Sequence, residues 1–161
     1  MTSNQLLRER GLRATAHRRA VLDALADHPH GTAAEITDRL GGSRRTGRLS
    51  KQGLYNVLDD LTRAGVLRRI EPAGSAARYE LRVGDNHHHM VCRECGAVAD
   101  VDCATGAAPC LDPSQLEPGF VVDEAEVVWW GTCSECARSD ALPAGVHDVI
   151  TTTLSSKGEP Q

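Results

Sequence analysis

The chain has 161 residues, 3% of them aromatic, and a formal net charge of −4. That length suits one ordinary domain or two small ones, and so few aromatic side chains allow only modest cores of the kind a metal clamp supports. No apolar run approaches membrane-spanning length and no signal peptide opens the chain, so it reads as cytoplasmic with no membrane partner, its six cysteines being metal ligands or reactive thiols rather than a disulfide framework.

The net charge hides a division. Residues 1–82 carry 15 Lys or Arg and 9 Asp or Glu, a balance of +6, whereas residues 83–161 carry 3 and 13, a balance of −10. A basic first half suits a polyanion and an acidic second half a different task.

In chain order, residues 18–26 place Val21, Leu22 and Leu25 on one helical stripe. Thr32 caps a second helix, with Glu35 three residues on completing a capping box, and Gly41 and Gly42 end it. A loop rich in Gly and Arg follows, in which Arg44, Arg45 and Arg48 offer sequence-independent phosphate contacts. Ser50 caps a third helix that runs to about Ala64, stopped by Gly65. In it Leu54, Val57, Leu58 and Leu61 face inward. Lys51, Gln52, Tyr55 and Asn56 lie on the other face near the N-terminus, where a recognition helix meets a major groove. Residues 66–70 and 77–81 form a hairpin around Pro72 and Gly74. Three short helices and a two-stranded ribbon predict a winged helix-turn-helix.

The second half reads as a small αβ unit that holds metal. Cys92-Arg-Glu-Cys95 and Cys133-Ser-Glu-Cys136 are two knuckles whose four thiolates suit a closed structural Zn2+ site. The 37 residues between Cys95 and Cys133 are too many for a zinc ribbon and suit an αβ unit stapled by the ion. A strand is expected over 97–102, a short helical turn over 113–117, and a strand pair or one bent strand over 120–130, with Ala125, Val127 and Trp129 on one face. His87 and His89 alternate in an extended segment, so both rings point to one side while His88 faces away. Glu80, Asp85, Asp100 and Asp102 are carboxylates within reach of that pair. Nitrogen and carboxylate ligands with an open position suit Fe(II), Mn(II) or Zn(II). Cys103 and Cys110 are left over, either as buried apolar side chains or as a reversible thiol pair.

The phrases Leu12-Arg-Ala-Thr-Ala-His-Arg18, Gly53-Leu-Tyr-Asn-Val-Leu58, Ala77-Arg-Tyr-Glu80 and His87-His-His-Met-Val-Cys-Arg-Glu-Cys-Gly96, in that order, resemble the ferric uptake regulator (Fur) family. The likeness covers roughly residues 6–138. Residues 82–87, 100–103, 108–111 and 123–127 look closest to its actinobacterial catalase-repressor branch. The resemblance implies an α+β homodimer, in which residues 1–82 form the winged-helix DNA-binding domain. Residues 83–138 form the αβ dimerisation and metal-binding domain, and residues 139–161 a flexible tail. It implies structural zinc on Cys92, Cys95, Cys133 and Cys136. It places a regulatory Fe2+ or Mn2+ on His30, Glu80, His87, His89 and Asp100. By the same likeness the dimer grips a palindromic operator in double-stranded DNA. Arg18, in the first quoted phrase, is added to the DNA-contacting set. Where many relatives have a further metal-binding histidine this chain has Ala125, and the Arg- and Gly-rich stretch 41–49 departs from the family pattern.

The expected function is a metal-dependent repressor that senses peroxide through Fe(II)-catalysed oxidation of a ligand histidine, His87 or His30, and controls oxidative-defence genes. The alternative is an iron-level repressor of uptake genes. A zinc-dependent hydrolase is more remote, since no substrate-binding constellation accompanies the histidines. A metal-storage or thiol-redox module would leave the basic half without a task.

Overall fold

A computed structural model of the protein describes residues 2–41, 49–106, 111, 114–122 and 125–139. Arg44, Arg45, Arg48, Cys110, Pro113 and residues 140–161 of the tail lie outside them. The fold is α+β, with helices and a small sheet in the first half and a second sheet, closed by a short helix, in the other.

The first half begins with α1 (Ser3–Glu9), which the sequence reading did not anticipate; Thr2 caps it and Leu7 is fully buried. Then come α2 (Ala16–Asp27), β1 (Gly31–Thr32), α3 (Ala33–Gly41) and α4 (Lys51–Arg63). The caps at α3 and α4 are those expected, and α2 has one that the sequence did not single out. Thr15 accepts from the Arg18 amide, Ser50 from the Gly53 amide, and Gly65 ends α4 at φ 63°. The capping box at α3 is closed on both sides, Thr32 N donating to Glu35 Oε2 at 2.7 Å and Glu35 N to Thr32 Oγ1 at 3.2 Å. Leu54, Leu58 and Leu61 of α4 join Val21, Leu22 and Leu25 of α2 and Ile36 of α3 in one core. Val57, expected inside, is only partly buried at its edge.

The wing is β2 (Arg68–Ile70) against β3 (Arg78–Glu80). It is not the two-stranded ribbon expected. Gly31 and Thr32 pair with Tyr79 and Arg78, so the sheet has three strands in the order β1-β3-β2. This third strand draws the loop after α2 onto the wing.

The second sheet comprises β4 (His87–Cys92), β5 (Val98–Asp102) and β6 (Val128–Gly131), in the order β5-β4-β6. β4 runs antiparallel to β5 and parallel to β6, and α5 (Ser134–Ser139) follows. Two expectations are corrected here. Residues 114–117 form no helix, and among the described residues of 120–130 only 128–130, the first three residues of β6, are strand. Phe120 and Val121 are 71% and 89% exposed, so nothing is available for their apolar side chains to pair with among the described residues. No helix of the described residues is long and apolar enough to cross a membrane.

Candidate metal centres and nucleic-acid face

The parallel pairing of β4 with β6 sets Cys92 beside Gly131, which brings both Cys-x-x-Cys knuckles to one end of the sheet. Cys95 follows β4 through a turn in which Gly96 N donates to Cys92 O at 3.0 Å; Cys133 and Cys136 flank the start of α5. All four sulfurs lie within 4.8 Å of one another, and Cys95 Sγ stands 3.7 Å from Cys133 Sγ. A tetrahedral zinc with bonds near 2.3 Å sets its sulfurs about 3.8 Å apart. The backbone amides of Cys95 and Cys133 hold the Cys92 thiol down to about 6, whereas the neighbouring sulfurs of Cys133 and Cys95 push Cys136 up. Four thiolates this close repel unless a cation sits among them, so the donor set and spacing fit zinc.

The second cluster draws on both halves. His30 comes from the loop before β1, Glu80 ends the wing strand β3, His87 and His89 lie on β4, and Asp100 stands opposite His89 on β5. Glu80 is 1% exposed and is the hub. Its Oε2 is 2.9 Å from His30 Nε2 and 3.1 Å from His89 Nε2, and its Oε1 is 3.1 Å from His87 Nε2. Asp100 Oδ1 lies 2.7 Å from His30 Nε2 and 3.6 Å from His89 Nε2. Ligand atoms of His30, Glu80, His89 and Asp100 all fall within 4.8 Å of one another. His87 stands slightly apart from this set, its Nε2 on Glu80 and 3.8 Å from Asp100 Oδ1.

Electrostatics follow from that packing. Burial raises the Glu80 carboxyl, but hydrogen bonds from His30 and His89 outweigh it and hold Glu80 near 2. Burial lowers His30, yet Glu80 and Asp100 together leave it above its ordinary 6.5. A buried carboxylate, a second one beside it and converging imidazoles make a site for a borderline divalent cation. His89 Nδ1 is buried without a hydrogen-bond partner.

Two side chains matter more than the sequence implied. Asp85 Oδ1 accepts from His87 Nδ1 at 2.9 Å, while its other oxygen accepts from Arg82 Nε, and Nη2 of the same guanidinium donates to Asp102 Oδ1. Such an outer carboxylate turns Nε2 of His87 toward Glu80. Arg78 bridges two backbone carbonyls far apart in sequence, and no local pattern would have revealed it.

Lys51, Gln52, Tyr55 and Asn56 are all exposed on the first turns of α4, with Gln52 Nε2 donating to Asn56 Oδ1 at 2.9 Å. Arg18 does not stand with them. Its guanidinium donates to Asp60 Oδ2 at 2.7 Å and to Arg13 O at 2.9 Å, bracing α2 against α4. Cys103 Sγ lies 3.2 Å from Thr105 Oγ1, and that hydroxyl leads the contacts that lower its thiol to about 6.

The ferric uptake regulator family model matches residues 9–106. The chain belongs to the ferric uptake regulator family. It is 53% identical over 136 residues to Transcriptional regulator FurA of Mycobacterium tuberculosis, covering 83% of this chain and 89% of that one. It is 52% identical over 128 residues to Ferric uptake regulation protein 1 of Mycolicibacterium fortuitum, covering 79% and 77%. It is 28% identical over 141 residues to the Peroxide operon regulator of Bacillus subtilis, covering 84% and 92%. The ferric uptake regulator of Vibrio cholerae has the same fold, with a TM-score of 0.58 at 23% identity over 81% of this chain and 98% of that one. As a member of the family this protein is a metal-responsive, DNA-binding transcription regulator and not an enzyme, which removes the hydrolase reading.

Proposed function

We propose that this regulator is a repressor that senses peroxide through a divalent ion bound between its two halves. The observation that carries the reading is the convergence of His30, Glu80, His89 and Asp100 ligand atoms within 4.8 Å. His30 belongs to the helical half, Glu80 to the wing, and His89 and Asp100 to the second sheet. Occupancy is therefore linked to the angle between residues 1–82 and 83–138. His30, Glu80, His89 and Asp100 hold the ion, with His87, whose Nε2 lies 3.1 Å from Glu80 Oε1, as fifth donor and Cys92, Cys95, Cys133 and Cys136 keeping structural zinc. Fe(II) in that position supplies one-electron chemistry with peroxide, directed at the His87 or His30 ring; Mn(II) is inert to it.

The apolar outer face of the second sheet is suited to a second copy of the chain. Met90 and Trp129 are 50% and 45% exposed there, over a hollow of about 310 Å³. A dimer so formed spaces two copies of α4 to match a palindrome, each presenting Lys51, Gln52, Tyr55 and Asn56. The second reading, reversible response to iron level, is favoured by the relative named a ferric uptake regulation protein.

The test is a titration of palindromic operator DNA with the Fe(II) and Mn(II) forms, followed by peroxide. Release of the Fe(II) form alone, with a gain of about 16 Da on the His30 or His87 peptide, is the expected result. Retention of DNA by the oxidised Fe(II) form leaves the iron-level reading. Equal DNA affinity with and without metal rejects both.

A further inference from the structure

His30 occupies a backbone conformation that needs outside support. Its φ is 61°, and it is the one non-glycine residue in the left-handed region among those described. Pairing of Gly31 and Thr32 with β3 fixes the chain on its C-terminal side. Its own carbonyl accepts from Arg78 Nη1 at 3.0 Å.

The same guanidinium reaches the other half of the molecule. Arg78 Nη2 donates to Gly96 O at 2.9 Å. Gly96 directly follows Cys95, has φ 71°, and is held to Cys92 O through its amide, so its carbonyl is aimed by the knuckle. Arg78 Nη1 also lies 3.8 Å from Glu35 Oε2, the oxygen that closes the α3 capping box. The Arg78 side chain is 15% exposed and its Nε is buried without a hydrogen-bond partner. One rigid fork thus spans the zinc knuckle, the His30 loop and the start of α3. Planarity matters, because a guanidinium fixes the angle between two donors whereas a flexible ammonium satisfies one carbonyl without setting the position of the other.

We infer that Arg78 is a positioning residue for the regulatory metal: through the His30 carbonyl it sets where the His30 imidazole sits, and it ties that position to the knuckle. The inference rests on the reading of His30 as a ligand. Because coupling is reciprocal, filling the site also stiffens the knuckle.

The test uses the zinc-loaded full chain and Mn(II) alone, titrated by calorimetry into wild type, Arg78→Lys, His30→Ala and the double variant. Arg78→Lys is expected to weaken Mn(II) binding about tenfold while keeping the knuckle zinc, the scale of outer-shell substitutions at metal sites. In the His30→Ala background it costs nothing further, since no ring remains to be placed. Additive losses, or no loss from Arg78→Lys alone, overturn the inference. An unchanged affinity in His30→Ala overturns instead the reading of the site. If Arg78→Lys sheds zinc, the wild-type chain supplies the decision: Mn(II) must slow amide exchange over residues 93–97, which hold none of the regulatory ligands, and unaltered exchange there sinks the proposal.

Discussion

Replacing Glu80 with Gln should separate the metal-free from the metal-bound role of this residue. Metal-free, the carboxylate is the common acceptor for His30, His87 and His89, and its side chain is 2% exposed. Holding a carboxyl that ordinarily titrates at 4.5 down to about 2 corresponds to about 3 kcal/mol, at about 1.36 kcal/mol per tenfold in proton affinity. The amide of the Glu80→Gln variant keeps one acceptor oxygen, and a neutral acceptor retains part of that, so the expected loss is about 2 kcal/mol, or about 6 °C in unfolding midpoint. The pH dependence is fixed by two opposite shifts. Glu80 is depressed, so its contribution is present above 4.5 and is lost as pH falls through about 2. His30 is raised, so its contribution is complete below 6.5 and is lost as pH rises through its folded value. Both are present together between 4.5 and 6.5. Calorimetric melting of metal-free protein at about pH 6 and about pH 8 should therefore show a larger Glu80→Gln penalty at the lower pH. Saturating Mn(II) should then raise the wild-type midpoint and leave the variant's nearly unmoved. A penalty below about 1 °C at pH 6, or one of equal size at both pH values, refutes the reasoning.

Cys95→Ser or Cys133→Ser should abolish zinc retention, measured with a chromogenic chelator, and with it cooperative melting of the second sheet, because binding energy at such sites is folding energy. Lys51→Ala should lower the slope of log affinity for DNA against log salt by about one, read by fluorescence anisotropy, whereas Arg18→Ala should act mainly on stability by freeing Asp60. Mn(II) binding should release protons at pH 6.5, because His30 is raised in the metal-free state and must deprotonate to ligate; calorimetry in two buffers of different ionisation enthalpy measures the number. Leu58→Ala, at a fully buried position of α4, should cost about 2–5 kcal/mol in chemical denaturation.

Elements set by local chemistry were legible. Thr32 with Glu35, Ser50 with Gly65, and the leucine stripe of α4 each act within a few residues, so spacing alone locates them. The alternation of His87 and His89 is a property of any extended strand and survived intact, with His88 turned against Trp129 at 5.4 Å. What escaped depends on distant partners. β1 is two residues long and exists only because β3 lies beside it. β6 is defined by its parallel pairing with β4, which begins at Val128 opposite His89. Arg18 was expected among the DNA contacts, and only folding brings Asp60, 42 positions away, to it. The left-handed turn at His30 and the two carbonyls on Arg78 have no local signal, since a backbone acceptor carries no residue identity.

β3 is three residues long, and none of them is idle. Arg78 reaches the loop and the knuckle, Tyr79 fills the core, and Glu80 gathers the imidazoles. A slip of one position would therefore rewire mechanical linkage, packing and sensing at a single stroke, which leaves natural drift almost no room to shorten or lengthen this strand.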